Sequence, residues 1–392
     1  MKHTSNLYSP EFIRNGIVLF LTEFVKGAFL VSFFPVYAVN SLGLSLAEVG
    51  TVVSVFYLAD NLFKCIAGYL VNRFSVSLIV NGGFFLSMFG IAALMNVHSL
   101  PLLIIASALI GIGGSPVWIV LLSQVQDGQR ASQMGVLYLF WIAGLGAGPV
   151  LINFVMDRSM NLSTLLLFVI WGAGWLLASR IRNADMISPV SLPVQAAILW
   201  KRLRKMRFLL PGMIIQTTAA GMLVPVISGF ATRHIGLTHS EFSLLMIVGG
   251  ACIGICLIPF GKWSDRRGGK WFLVGGSAIF SIVLLSLTFV STLKSAIAAS
   301  ALLGISYAAV LPAWNALLAG YVPKRLTGTA WGLFSAIEGL GVMIGPIIGG
   351  ILADRYNEKF PFFASSLLFI VLSVIYMMSP STRFAHNRRL NI

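Results

Sequence analysis

Long apolar runs separated by short polar punctuation fill almost the whole chain. A helix that crosses a bilayer needs about 20 predominantly apolar residues. Twelve segments meet that length, at 14–39, 46–70, 77–96, 100–123, 131–156, 161–179, 208–232, 241–261, 271–290, 295–319, 327–353 and 360–379. The hydrocarbon interior offers no water to backbone N–H and C=O groups, so segments of this kind satisfy themselves as helices. The pattern predicts an all-α polytopic membrane protein with twelve spans. The first run continues for about 25 positions, too long for a signal-peptide core, and is read as a retained span.

Most links are short. The long one, 180–207, holds Pro189, Pro193 and the basic run Lys201-Arg202-Leu203-Arg204-Lys205-Met206-Arg207. It predicts a six-helix half over 1–180, a basic linker over 181–207 and a second six-helix half over 208–392. The halves read as copies. Gly135, Gly144, Gly148, Pro149, Asp157 and Arg158 fall on Gly332, Gly341, Gly345, Pro346, Asp354 and Arg355 at an offset of 197. Pro116-Val-Trp118 meets Pro312-Ala-Trp314 at 196, and Gly68…Asn72-Arg73 meets Gly261…Asp265-Arg266 at 193. Repeats of this kind place a substrate site near the bilayer midplane, where the two copies face each other.

Composition sharpens this picture. Apolar residues make up 57% of the 392 positions and charged residues 10%, with a mean hydropathy of +0.90. So few charges cannot clothe a soluble fold of this length, which excludes a soluble enzyme, a nucleic-acid module and a disordered scaffold. The net charge of +15 is a topology signal rather than a sign of nucleic acid. With both termini inside, 20 Lys and Arg fall in cytoplasmic segments, and only Arg158, Arg233, Lys294, Arg355 and Lys359 fall outside. That bias is the positive-inside rule of a cell-membrane protein. Cys65, Cys252 and Cys256 lie inside apolar runs and offer neither a disulfide framework nor paired metal-ligand spacing. No GxxxxGK[ST] loop occurs, so ATP is not the energy source within the chain, which leaves a proton or ion gradient or plain facilitation. HExxH and GxSxG are absent too, and Ser291-Thr-Leu-Lys294 fits S-x-x-K without its companion motifs, so no enzyme activity is expected.

The charges within the spans are the sharpest chemistry. Glu23 and Lys26 are three apart, and Asp60 and Lys64 four apart, each pair on one helix face. Charges at that depth are costly and face a cavity or one another. Two self-neutralising structural pairs are one reading. A polar cavity wall is the other, favoured because Trp118, Trp141 and Tyr138 converge on the same half. The second half carries one mid-span charge, Glu338, the repeat partner of Trp141, with Gln216, Thr217, Trp314 and Asn315 among apolar residues. One charged, aromatic wall and one largely apolar wall suit an amphipathic solute. Carboxylates accept sugar hydroxyls and aromatic faces stack on the ring. Glu23, Asp60 and Glu338 are candidate proton carriers, and Glu338 has no cation nearby in sequence.

Gly261-Lys-Trp-Ser-Asp265-Arg266-Arg-Gly268-Gly-Lys270 resembles the G-x-x-x-D-R-x-G-x-K signature of the major facilitator superfamily. Its first-half copy keeps Gly68 and Arg73 but has Asn72 for Asp and Ser75 for Gly. Such a turn can act as a charge latch that releases as the halves rock. It can also simply mark the inner membrane face. Gly144-x-x-x-Gly148-Pro149 and Gly341-x-x-x-Gly345-Pro346 read as close-packing motifs. In that superfamily the span-five motif is associated with proton-coupled antiporters.

Within the superfamily, several segments resemble the lipoteichoic-acid glycolipid flippases of Gram-positive bacteria. They are Phe20-Leu-Thr-Glu23-Phe-Val-Lys26-Gly27, Ala59-Asp60, Ser115-Pro116-Val-Trp118, Gln133-Met134-Gly135 to Trp141, Leu311-Pro312-Ala313-Trp314-Asn315 and Trp331-Gly332. The resemblance implies a proton-coupled carrier without a cofactor that moves a diglucosyl diacylglycerol anchor from the inner to the outer leaflet. It implies a head-group pocket at Glu23, Lys26, Asp60, Trp118 and Trp141, with membrane lipids, the glycolipid and protons as partners. Lys26 stands where that family carries Arg, so a point charge replaces a forked donor. The alternative on the same fold is a proton-coupled multidrug exporter, since an amphipathic cavity also accepts lipophilic cations.

Overall fold

The computed structural model describes residues 10–70, 74–96, 99–123, 130–181, 200–201, 203–204, 206–321 and 327–380. Among these the chain is helical, with no strand. The first half comprises α1 (Pro10–Asn40), α2 (Leu46–Leu70), α3 (Val76–Asn96), α4 (Leu100–Ser123), α5 (Arg130–Met156) and α6 (Met160–Ala178). The second comprises α7 (Leu210–Leu223 and Ile227–His234), α8 (His239–Arg267), α9 (Gly269–Leu287), α10 (Leu293–Ala319), α11 (Thr327–Arg355) and α12 (Phe360–Met378). Eleven are long and apolar enough to cross a membrane unbroken, and α7 makes the twelfth as a pair bent by 45°. Pro225 causes the break. It has no N–H for the ladder, and the flanking Val224 and Val226 fall back on bonds to Gly221 and Leu223, three residues earlier.

The chain forms two compact units, residues 1–189 and 190–392. Each repeats one packing scheme. In the first unit α1 packs on α5 and α6, α4 on α2 and α3, and α3 on α6. In the second α7 packs on α11 and α12, α10 on α8 and α9, and α9 on α12. The glycines of the Gly-x-x-x-Gly-Pro motifs make the first of these contacts. A Cβ on Gly144 or Gly148 would strike the backbone carbonyl of Phe20 or Phe24 on α1. A Cβ on Gly345 would lie 2.6 Å from Thr218 O and 2.8 Å from Gly221 Cα on α7. Small residues at such positions let helices meet backbone to backbone, where dispersion and polar contacts hold them without a hydrophobic drive.

The turn after the first helix of each unit is also duplicated, at the offset of 193 seen in the sequence. Gly43 (φ 67°) and Gly236 (φ 80°) adopt the left-handed conformation that ends each helix. Leu44 N bonds Ala38 O, and Leu237 N bonds Ala231 O, each at 3.0 Å. Capping boxes then start α2 and α8. Ser45 N donates to Glu48 at 2.8 Å and Glu48 N to Ser45 Oγ at 3.2 Å, while Thr238 and Glu241 make the same exchange at 2.8 and 3.1 Å. Upstream, each first helix widens into a π-turn, at Ala28–Phe33 and Phe230–His234. In α1 this turn precedes Pro35, which cannot donate to the ladder.

Polar side chains stitch equivalent helices across each unit. Trp171 Nε1 donates to Phe84 O at 3.1 Å between α6 and α3, and Ser366 Oγ donates to Ser281 O at 2.9 Å between α12 and α9. Replacing Gly148 or Gly345 by Ala will lower the thermal midpoint of the detergent-purified protein, at an overpacking cost of about 1–3 kcal/mol. Gly146→Ala, where a Cβ meets nothing within 4 Å, will leave the midpoint unchanged or higher.

Candidate functional site

The helical spacing of Glu23 and Lys26 puts both on a face of α1, which at 78% is the most buried of the eleven unbroken spans among the described residues. Burial removes water from both charges, so each must find a partner. Lys26 Nζ lies 3.2 Å from Glu23 Oε1 and 3.1 Å from Asp60 Oδ1 on α2. Asp60 Oδ2 accepts from Lys64, one turn further along α2. The two pairs anticipated from sequence therefore join into one chain of alternating sign, Glu23, Lys26, Asp60, Lys64. Its sum is zero. Glu23, Lys26 and Asp60 are 6%, 4% and 5% exposed, whereas the Lys64 side chain is 30% exposed and forms the accessible end.

Helix α4 completes the network with small residues. A Cβ on Gly111 would press on Phe56 O, so α4 and α2 touch backbone to backbone there. This approach brings Ser115 Oγ to 3.1 Å from Asp60 Oδ1 and 2.7 Å from Gly111 O, two acceptors for its single proton. A Cβ on Gly114 would sit 2.5 Å from Lys26 Cε, so Gly114 makes the room in which the lysine lies. Tyr57, one turn before Asp60 on α2, is within electrostatic reach of Glu23, Lys26 and Asp60. From sequence Gly111, Gly114 and Tyr57 receive no role, and Ser115 enters only as part of the segment Ser115-Pro116-Val-Trp118. The available signal was the run Gly111-Ile-Gly-Gly-Ser115 just before Pro116.

The aromatic residues do converge. Trp118 is one turn beyond Gly114 on the same face of α4, and Trp141 one turn before Leu145, whose carbonyl abuts Gly27 of α1. Ring centroids lie 5.4 Å apart for Trp118 and Tyr138, 6.4 Å for Trp118 and Trp141, and 6.2 Å for Tyr138 and Trp141. These separations suit tilted and edge-to-face contacts. Tyr138 is exposed and the two indoles are half-buried, so the cluster presents ring surface beside the buried charges.

In the second half, Trp314 Nε1 donates to Glu338 Oε1 at 3.0 Å. The Trp314 and Tyr376 rings are 6.2 Å apart, and Tyr376 OH lies 2.8 Å from where a Cβ of Gly212 would sit. Asn315, 100° further round α10 than the buried Trp314, is exposed and stands outside this cluster. Thr217 turns its hydroxyl to Met213 O and Ile214 O, and Gly341 packs on it.

Of the turn motif, Gly261 and Arg266 belong to α8. Gly261 faces Pro312 of α10 with ordinary clearance, and Arg266 is exposed. The side chain of Asp265, and Asn72 and Arg73 altogether, lie outside the described residues. The rest of the motif builds the turn. Gly268 (φ 89°) is the one residue between α8 and α9, and Lys270 Nζ donates to Ser379 O at the end of α12 at 2.8 Å. In the first half Ser75 replaces that glycine and accepts Leu78 N at 3.2 Å as the cap of α3. No cluster among the described residues is suited to a metal ion.

Sequence comparison matches residues 16–217 and 209–389 to the Major Facilitator Superfamily. Relatives include proteins named proton-coupled antiporter flippase LtaA. The one from Staphylococcus saprophyticus is 26% identical over 94% of both chains. The one from Staphylococcus epidermidis is 27% identical over 95% of this chain and 96% of its own, and that from Staphylococcus aureus is 27% identical over 93% and 94%. Among solved structures, a bacterial homolog of the human lysosomal transporter Spinster aligns with a TM-score of 0.78 at 14% identity, covering 97% of this chain and 98% of that one. The nucleoside transporter NupG aligns at 0.73 and 14%, covering 94% and 98%. These two likenesses concern the fold alone.

Removing Lys26 tests the network. Lys26→Met leaves Glu23 without its cation and will destabilise the protein by about 3–5 kcal/mol, read as a lowered midpoint in detergent. Lys64→Met removes a part-exposed partner and will cost about 1 kcal/mol or less. Gly114→Ala displaces the lysine and will fall between them. Equal costs for the two lysines would show that the pairs are independent.

Proposed function

The chain belongs to the Major Facilitator Superfamily, and on that footing we propose that it is a proton-coupled flippase carrying an amphipathic glycolipid from the inner to the outer leaflet. A transporter of this family alternates access to a central site rather than transforming its cargo. The observation that carries the reading is the Glu23–Lys26–Asp60–Lys64 chain next to the ring cluster of Trp118, Tyr138 and Trp141, all in one half. The names of the staphylococcal relatives support proton coupling and lipid flipping.

The geometry suggests how a sugar head group is held. Carboxylates accept hydroxyl protons, ammonium groups donate to hydroxyl oxygens, and an indole face packs on the ring. Lys64 is the entry point, since its side chain is the accessible end of the charge chain. A hydroxyl that takes over one Lys–Asp contact leaves the sum of charges at zero, so a neutral sugar is admitted without stranding a charge in hydrocarbon. The apolar lining of the second half suits acyl chains. Gly261, Asp265 and Arg266, with Asn72 and Arg73 in the first-half copy, are assigned to the latch that the rocking halves open and close.

Proteoliposomes with fluorescent diglucosyl diacylglycerol test the reading. Wild-type protein will move the lipid between leaflets, and faster under a proton gradient. Glu23→Gln and Asp60→Asn will reduce flipping tenfold or more, as loss of about 1.4 kcal/mol or more of head-group binding requires. Trp118→Ala or Trp141→Ala will weaken head-group binding by about 0.5–1.5 kcal/mol. Absence of flipping by the wild type, with extrusion of lipophilic cations that disappears in Asp60→Asn, would instead establish the multidrug exporter.

A further inference from the structure

The pair Trp314 and Glu338 occupies the same place in the second half that Trp118 and Trp141 occupy in the first. The sequence offsets are 196 and 197, and in both halves the two side chains meet across the fourth and fifth helices of the repeat. In the first half the contact is ring to ring at 6.4 Å. In the second a carboxylate replaces one ring, and the contact becomes the 3.0 Å hydrogen bond from Trp314 Nε1. Two copies of one scaffold thus carry a stacking surface on one side and an acid on the other.

The surroundings of Glu338 differ in kind from those of Glu23 and Asp60. Asp60 meets two ammonium groups and Glu23 meets one. Among the described residues Glu338 meets none, and Trp314 is its one hydrogen-bond partner there. The groups around it are accounted for helix by helix. From α10 come Trp314 and Tyr307, and from α12 comes Tyr376, the two phenols lying within electrostatic reach. From α7 come no titratable groups over Leu210–Leu223, only the polar Gln216, Thr217 and Thr218. Asp354 and Arg355, at the end of α11 itself, are about 24 Å away along the helix at 1.5 Å per residue. Of the basic groups at the near end of this half, Arg207 is exposed and Lys270 is engaged with Ser379 O. Neither pairs with Glu338.

We infer that Glu338, oriented by Trp314, is the site that carries the coupling proton, separate from the head-group site of the first half. An ionised carboxylate in hydrocarbon needs a compensating cation, and the proton is the cation this site admits. The indole bond serves both forms. Oε1 accepts the N–H when the group is charged, and still accepts it as the carbonyl oxygen once the other oxygen has taken the proton. Protonation therefore changes the charge by one without dismantling the contact. Trp314 is a positioning residue. The inference rests on the proton-coupled reading above and assigns that reading's proton to a residue.

The test uses the full chain in proteoliposomes, as wild type, Glu338→Gln, Trp314→Phe and Glu23→Gln. For each proton moved per lipid, a gradient of one pH unit supports about tenfold accumulation. Wild type will reach that range, whereas Glu338→Gln will equilibrate fluorescent glycolipid between leaflets without accumulating it. Trp314→Phe, which keeps a ring but loses the N–H, will accumulate to an intermediate level. Glu23→Gln will instead lose binding of a soluble diglucosyl glycerol probe. Accumulation by Glu338→Gln at the wild-type level would overturn the inference and leave the flippase reading standing. A wild type that moves no glycolipid would remove the flippase reading. In that case, infrared difference spectra on a pH step still decide on Glu338: a carboxylic C=O band present in wild type and absent in Glu338→Gln supports the proton site, and an identical band in both refutes it.

Discussion

The ammonium of Lys26 is shared between carboxylates on two helices, and the rest of the first half is arranged to permit that sharing. A buried lysine held by Glu23 alone would be a local feature of α1, neutral and indifferent to its neighbours. With Asp60 as second partner it fixes the depth of α2 against α1. The small residues follow from this constraint. Gly114 leaves the space the lysine fills, Gly111 brings α4 against α2, and Ser115 then reaches Asp60. On the other side of α1, Gly144 and Gly148 seat α5 and so bring Trp141 beside the charges. Taking charges out of water is expensive, and the expense is offset only where partners and hydrogen bonds are in place together. A site with these demands tolerates little change in any of the four helices.

The two halves show what a duplicated scaffold can keep and what it can vary. Turn chemistry is kept. The left-handed glycine, the capping box and the π-turn stand at matching places in both. Helix pairing is kept, down to the glycines that let the first helix meet the fifth. Side chains facing the interior of each unit have diverged. Indole-to-carbonyl bonding in one half answers to serine-to-carbonyl bonding in the other, and a tryptophan answers to a glutamate. The backbone contacts are held by local geometry, which is unforgiving, whereas the facing side chains are free to specialise. That asymmetry lets one backbone frame carry an ion-pair and aromatic wall in the first half and a lone carboxylate bonded to an indole in the second.

Much of this was legible in the chain. Apolar run length gave twelve spans because hydrocarbon leaves the backbone no alternative to the helix. The basic residues suggested an orientation, the matching landmarks exposed the duplication, and the rarity of charge in the spans singled out Glu23, Lys26, Asp60, Lys64 and Glu338. The capping boxes at Ser45-x-x-Glu48 and Thr238-x-x-Glu241 are local patterns of the same kind, although only their hydrogen bonds identify them.

What only the tertiary structure decided is which of these residues meet. Helical periodicity relates positions three or four apart, so it pairs Glu23 with Lys26 and Asp60 with Lys64 and stops there. The bond from Lys26 to Asp60 spans 34 positions and depends on how closely two backbones approach. That approach is set by glycines whose function is an absence of side chain, invisible until the neighbour is in place. The hydrogen bond from Trp314 to Glu338 and, among the described residues, the lack of an ammonium partner for that acid are likewise matters of packing. The sequence determined the medium, the spans and the charges placed in them; the fold determined which of those charges cancel in one network and which acid stands apart from it.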